Sequence, residues 1–136
     1  MGAWSSSSFG NDSACDWIGE FLREPGFEAV QRAFDAALVD GYLDSDEGTA
    51  AVAACEVVAR LSGRWGTRNA YSEDLDRWVL ANPATPTAPL RESALRALHR
   101  VVGSGSELAA LWADSDSFEE WQAAIADLRV RVAGPP

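Results

Sequence analysis

The chain contains no lysine: its eleven basic side chains are all arginine, set against twenty-one Asp and Glu for a formal net charge of −10 at pH 7. That balance excludes nonspecific nucleic-acid binding, which rests on basic side chains neutralising phosphates. No apolar run approaches the ~20 residues needed to cross a bilayer, so no transmembrane helix is expected. The N-terminus lacks the basic start and continuous apolar stretch of a secretory signal, so a cytoplasmic protein is expected. Cys15 and Cys55 are the only cysteines and form no CxxC pair. His99 is the only histidine. A zinc site is therefore not expected, and two reduced thiols packed as small hydrophobes suit a cytosolic setting. Phosphate-binding glycine loops, HExxH pairs, dinucleotide fingerprints and G-x-S-x-G elbows are all missing, so neither a cofactor nor a metal is expected.

What is there fits a globular protein. The 136 residues are 47% hydrophobic and 24% charged, matching one domain with a sizeable core. Arginine to the exclusion of lysine, with abundant alanine, reads as the codon bias of a GC-rich, bacterial genome. Six tryptophans (Trp4, Trp17, Trp65, Trp78, Trp112 and Trp121) are scattered rather than repeated, and such large aromatics are expected mostly in packing roles. Met-Gly-Ala-Trp-Ser-Ser satisfies the loose myristoylation pattern, which has no meaning in a bacterium.

Helical spacing dominates. Asn11 or Asp12 can cap a helix with Ala14, Trp17, Ile18, Phe21 and Leu22 on one side, stopped by Pro25–Gly26. Phe27, Val30, Phe34, Ala37 and Leu38 mark a second helix, ended by Gly41. Ser45 or Asp46 opens a third, carrying Ala51, Ala54, Cys55, Val58 and Leu61, and residues 63–70 form a loop. Ser72 with Glu73 and Asp74 starts a fourth, because carboxylates favour the positive helix end. Pro83, Pro86 and Pro89 make 82–89 a surface crossing, with a fifth helix from Leu90. Ser104 with Glu107, then Ser117 with Glu120, have capping-box spacing before the last two helices. No stretch alternates at period two. The expectation is one all-α domain of about six to seven helices over 1–133, with a short tail at 134–136.

Charge is unevenly placed. Residues 1–50 carry ten acids and two arginines, residues 60–105 seven arginines and four acids, and residues 106–136 six acids and two arginines. The acidic ends suit a basic protein partner. Asp40, Asp44, Asp46 and Glu47 form the densest carboxylate run, with Asp114, Asp116, Glu119 and Glu120 a second cluster. The first run fails the calcium-loop template from either Asp40 or Asp44, since no glycine falls at the sixth position nor glutamate at the twelfth. Glu56, in the least polar stretch of the chain, is a candidate general acid or base, or else the helix-surface partner of Arg60 four residues on. His99 shares a polar helix face with Glu92, Arg96 and Arg100 and reads as a surface residue. The loop Arg60–Arg68, with Arg64, Trp65 and Arg68 and no acid, is an alternative contact site, able to grip a phosphate, a base or a protein.

The opening Met-Gly-Ala-Trp-Ser-Ser-Ser-Ser-Phe-Gly-Asn-Asp-Ser-Ala-Cys-Asp-Trp resembles the start of a bacterial family known as domain of unknown function 4259. The likeness continues through Asp-Gly-Tyr-Leu, Ala-Ala-Cys-Glu-Val-Val-Ala, Glu-Leu-x-x-Leu-Trp and the closing Trp121. Ser5 stands where the family usually has glycine, and Cys55 where it has alanine. The resemblance implies no activity and no catalytic residues. It singles out Met1–Trp4, Phe9, Asp12, Asp16, Trp17 and Glu56, and an ordered N-terminal segment with Trp4 and Phe9 over the first helix is expected. The leading functional expectation is a small acidic protein that acts by binding another protein, as an immunity (toxin-neutralising) or regulatory factor. The alternatives are an enzyme using Glu56 or the Asp40–Glu47 carboxylates, and a small-ligand binder using the arginine–tryptophan loop. Neither nucleic acid nor membrane is expected as a partner.

Overall fold

In the computed structural model, which describes residues 12–134, the architecture follows from one helix that has almost no polar side. Seven helices occur in the order α1 (Asp12–Arg23), α2 (Phe27–Ala37), α3 (Ser45–Leu61), α4 (Glu73–Ala81), α5 (Ala88–Val102), α6 (Glu107–Ala113) and α7 (Phe118–Ala133). Residues 51–60 of α3 are all buried. A helix that is apolar or small on every side has to be enclosed, and α3 packs against all six others. One contiguous apolar cluster draws side chains from every helix, including Phe21, Phe34, Val58, Leu75, Leu98, Trp112 and Leu128. No strand occurs among the described residues; an isolated parallel bridge joins Leu43 to Ser106. The fold is all-α, as the spacing predicts. The expected packing of Met1–Phe9, with Trp4 and Phe9, lies outside the described residues.

Most stops and starts are where local chemistry puts them, and the shifts have identifiable causes. The third helix is capped by Asp44 rather than Ser45 or Asp46: its carboxylate accepts from the Glu47 amide at 2.8 Å. The fifth begins at Ala88, not Leu90, because Pro89 falls in the first turn, where a missing N–H costs nothing. Thr87 caps it through a 3.2 Å bond from the Leu90 amide. The sixth is capped by Ser106 rather than Ser104, and Glu107 turns away to accept the Ser45 amide at 2.8 Å. Ser117 does precede α7, but without a side-chain capping bond. Gly63, at φ +81°, ends α3 in a Schellman turn. The Arg64 amide bonds Ala59 O at 2.9 Å and the Gly63 amide bonds Arg60 O at 3.0 Å. That turn throws 64–71 back across the end of α3.

The aromatics serve the helix contacts. Trp17 stacks on Phe21 at 5.3 Å, and Phe21 meets Trp78 edge-on at 5.1 Å, fastening α1 to α4. Trp112 and Trp121 lie parallel at 6.2 Å between α6 and α7. Among the described residues neither cysteine is in a disulfide; Cys55 is buried and Cys15 half-buried.

Candidate functional site

The C-terminal half of α3 carries Glu56 and Arg60, one turn apart and 3% and 2% exposed. The Arg60 guanidinium bonds Glu56 Oε1, donates from Nε to Asp76 Oδ1 at 2.7 Å, and from Nη2 to the Thr67 carbonyl at 2.6 Å. Asp76, itself buried on α4, accepts the Ser72 hydroxyl on its other oxygen at 2.8 Å. From α7, Arg131 grips Glu56 with both terminal nitrogens, at 2.7 and 2.9 Å, and donates from Nε to Asp127 at 2.8 Å. A Cβ on Gly66 would stand 2.7 Å from Arg131 Nη1, so a larger residue there would have to push this guanidinium off its place on Glu56.

Both Glu56 oxygens are engaged by guanidinium nitrogens, and the residue is almost wholly buried. The Glu56–Arg60 pair expected on a helix surface is therefore buried, because α4, α7 and loop 64–71 close over the end of α3. Burial pulls the Arg131 pKa down most strongly, yet the bonds and charges of Glu56 and Asp127 together hold it above the ordinary arginine value. The Cys55 thiol, fully buried, is pushed well up by that burial and then by the Glu56 charge. Among the described residues no group of three or more His, Cys, Asp or Glu could hold a metal ion.

The arginine–tryptophan loop divides. Trp65 is half-buried against the core, with the Arg60 guanidinium 5.8 Å and the Arg68 guanidinium 4.6 Å from its ring centre. Arg64 folds against Gly134 at the end of α7, within 2.9 Å of where a Cβ would stand. Arg68 alone of Arg64, Trp65 and Arg68 is exposed.

The two expected acidic clusters face outward. Asp40, Asp44, Asp46 and Glu47 are all exposed, as are Asp114, Asp116, Glu119 and Glu120 in and after the α6–α7 turn. Asp46 also accepts the Ser13 hydroxyl at 2.8 Å, tying the start of α1 to the start of α3. A hydrogen bond with Asp44, then partial burial and the Asp44 charge, raise the Glu47 pKa. An acidic stripe was not among the expectations from the sequence: Asp12, Asp16 and Glu20 recur every four residues along α1, Glu24 follows one residue past its end, and all four are exposed. Their four-residue spacing was the available signal. Glu20, Glu24 and Glu47, together with Arg23 and Arg32, line an open groove of about 500 Å³ between α1, α2 and the start of α3, beside Trp17, Phe21 and Ala33. His99 is exposed, and among the described residues no helix is long and apolar enough to cross a membrane.

The family model described as Domain of unknown function (DUF4259) matches residues 2–124. The chain belongs to that family. Neither the curated proteins nor the solved structures yield a match.

Proposed function

We propose that this chain is a non-enzymatic protein-binding domain that receives a basic partner on its acidic surface, in the manner of a toxin-neutralising (immunity) or regulatory protein. The observation that supports this reading is the partition of charge. Eighteen of the twenty-one carboxylates are exposed, but only six of the eleven arginines. Arg60 and Arg131 are engaged with internal carboxylates, and Arg100 with backbone carbonyls. The exposed side chains therefore carry −12, more than the whole chain's −10. A surface of that kind speeds encounter with a positive partner and repels acidic ones. The arginine-only composition and the two cysteines outside any disulfide support placing the protein in a bacterial cytoplasm.

The test is affinity capture from the source cell followed by association kinetics. A basic partner is expected, with an on-rate that falls at least about tenfold between ~0.05 and ~0.5 M salt as screening shortens the Debye length. Combined Asp40→Asn, Asp46→Asn and Glu47→Gln changes should slow association and leave the melting temperature near the parent's. Asp44 is left intact because it caps α3. An acidic partner, or an on-rate indifferent to salt, would overturn the reading. A second reading, a small-ligand site, is favoured by the α1–α2 groove, whose volume of about 500 Å³ falls in the range of ligand pockets.

A further inference from the structure

The groove between α1, α2 and the start of α3 carries charge of both signs and pairs none of it. Glu20, Glu24 and Glu47 line it together with Arg23 and Arg32. Among the described residues the arginines in ion pairs are Arg60, Arg68, Arg77 and Arg131, and their partners are Glu56, Glu73, Asp74, Asp76 and Asp127. None of the five groove charges is in that set. The arginines and Glu47 are also held apart. Arg23 is the last residue of α1, two before Pro25, and Arg32 comes from α2 beyond the turn. Glu47 stands toward the opposite end, where the Ser13 hydroxyl donates to neighbouring Asp46 at 2.8 Å and ties the beginning of α1 to the beginning of α3. A hydrogen bond with Asp44, then burial and the Asp44 charge, raise the Glu47 pKa, as befits a carboxylate with no cation beside it. The uncharged lining is aromatic or small: Trp17, stacked on Phe21 at 5.3 Å, with alanines such as Ala33 and Ala50.

We propose that this groove binds a short apolar peptide with free ends, two or three residues long, its ammonium group on Glu47 and its carboxylate on Arg23 and Arg32. The inference rests on the small-ligand reading of the groove and names the ligand's chemistry. Charges that satisfied each other would leave the concavity without poles. Left separate, they offer a negative and a positive end to whatever enters, and a zwitterion answers both. Arg23 and Arg32 disfavour a lone cation, and the three carboxylates disfavour a lone anion. Length selects within the class. From Trp17 to Arg23 is six residues of helix, about 9 Å. A single amino acid extends at most about 3.6 Å and reaches one pole, whereas two or three residues span about 7–11 Å. The planar guanidinium fork suits a terminal carboxylate. Apolar side chains of the peptide lose exposed surface against Trp17 and the alanines, which adds to binding. Glu20 and Glu24, one turn apart on the α1 wall, repel peptides with acidic side chains.

The experiment titrates the whole, isotope-labelled chain with leucyl-leucine in four forms: free, N-acetylated, C-amidated and blocked at both ends. The free form should shift the amide resonances of residues 17–24, 32–36 and 47–50. Each singly blocked form should bind about fivefold more weakly, the scale of one partly exposed ion pair. Glu47→Gln should abolish the preference for a free ammonium and keep that for a free carboxylate. Arg23→Gln combined with Arg32→Gln should do the reverse. All three side chains are exposed, so these variants should melt near the parent. Equal binding of the four forms, or a preference that survives its own variant, overturns the inference and leaves the small-ligand reading standing. An amidated form that binds as tightly as the free one makes the groove a cation site and overturns the inference likewise. No shift with any form at millimolar peptide, or shifts confined to other surfaces, overturns the inference and that reading together.

Discussion

Replacing Glu56 by Gln tests the buried clasp most directly. The substitution keeps the side chain's shape and removes its charge beneath Arg60 and Arg131. One oxygen can still accept, but the new amide N–H group must face a guanidinium, donor against donor. Removing one partner of a buried ion pair costs about 3–5 kcal/mol. The lower end applies here, because Arg60 keeps Asp76 and the Thr67 carbonyl, and Arg131 keeps Asp127. For a chain of this size each kcal/mol lowers the melting temperature by about 4 °C, so about 3 kcal/mol predicts a drop near 12 °C. Thermal and urea unfolding followed by circular dichroism would measure it, with coincident tryptophan fluorescence as the check on two-state behaviour. Arg131→Gln should cost less, since Arg131 is only partly buried. The double variant should fall short of the summed losses by about 1 kcal/mol or more, as expected for residues in contact. A loss below about 1 kcal/mol for Glu56→Gln, or strict additivity in the cycle, would refute the clasp.

The remaining predictions probe the same parts from other sides. Gly66→Ala should destabilise by about 1–3 kcal/mol, because its methyl would displace an Arg131 guanidinium already fixed on Glu56; an unchanged urea midpoint would show that the guanidinium yields freely. The thiols should differ in reactivity. Burial raises both pKa values, so a disulfide reagent at pH 8 should modify half-buried Cys15 slowly and Cys55 only after unfolding; rapid loss of both would contradict the packing of α3. Glu47 is raised in the folded state, so it adds stability below the unfolded value of about 4.3 and loses it as pH rises through the folded value. Glu47→Gln should therefore match or exceed the parent's stability at pH 7 and lose that advantage near pH 4, as read from melting curves; a variant less stable at pH 7 would show the helix-dipole benefit of the charge to dominate.

Local chemistry in the sequence settled the helices and most of their ends. Apolar spacing near 3.6 residues marks which side of a segment must be hidden, and Pro25–Gly26 and Gly63 stop the chain whatever lies across from them. It also placed Arg60 one turn from Glu56, a contact of neighbours on one helix. Asp44, rather than Ser45 or Asp46, caps the third helix through the Glu47 amide three residues on, a local spacing the sequence also carries. Glu56 reads as a candidate acid or base from its place in the least polar stretch of the chain; Arg131, seventy-five residues away, closes on both its oxygens. Likewise Arg64, Trp65 and Arg68 read as one contact loop until the turn after Gly63 sent the first two inward and left the third outside. The exposure of Tyr42 was equally invisible, since the bonds that fix its loop come from Arg100, Gly105 and Glu107, about sixty residues away. Local sequence decides which side chains share a helix face, whereas the meeting of two faces depends on how helices cross, and that is fixed by the volume and hydrogen-bond needs of the whole core.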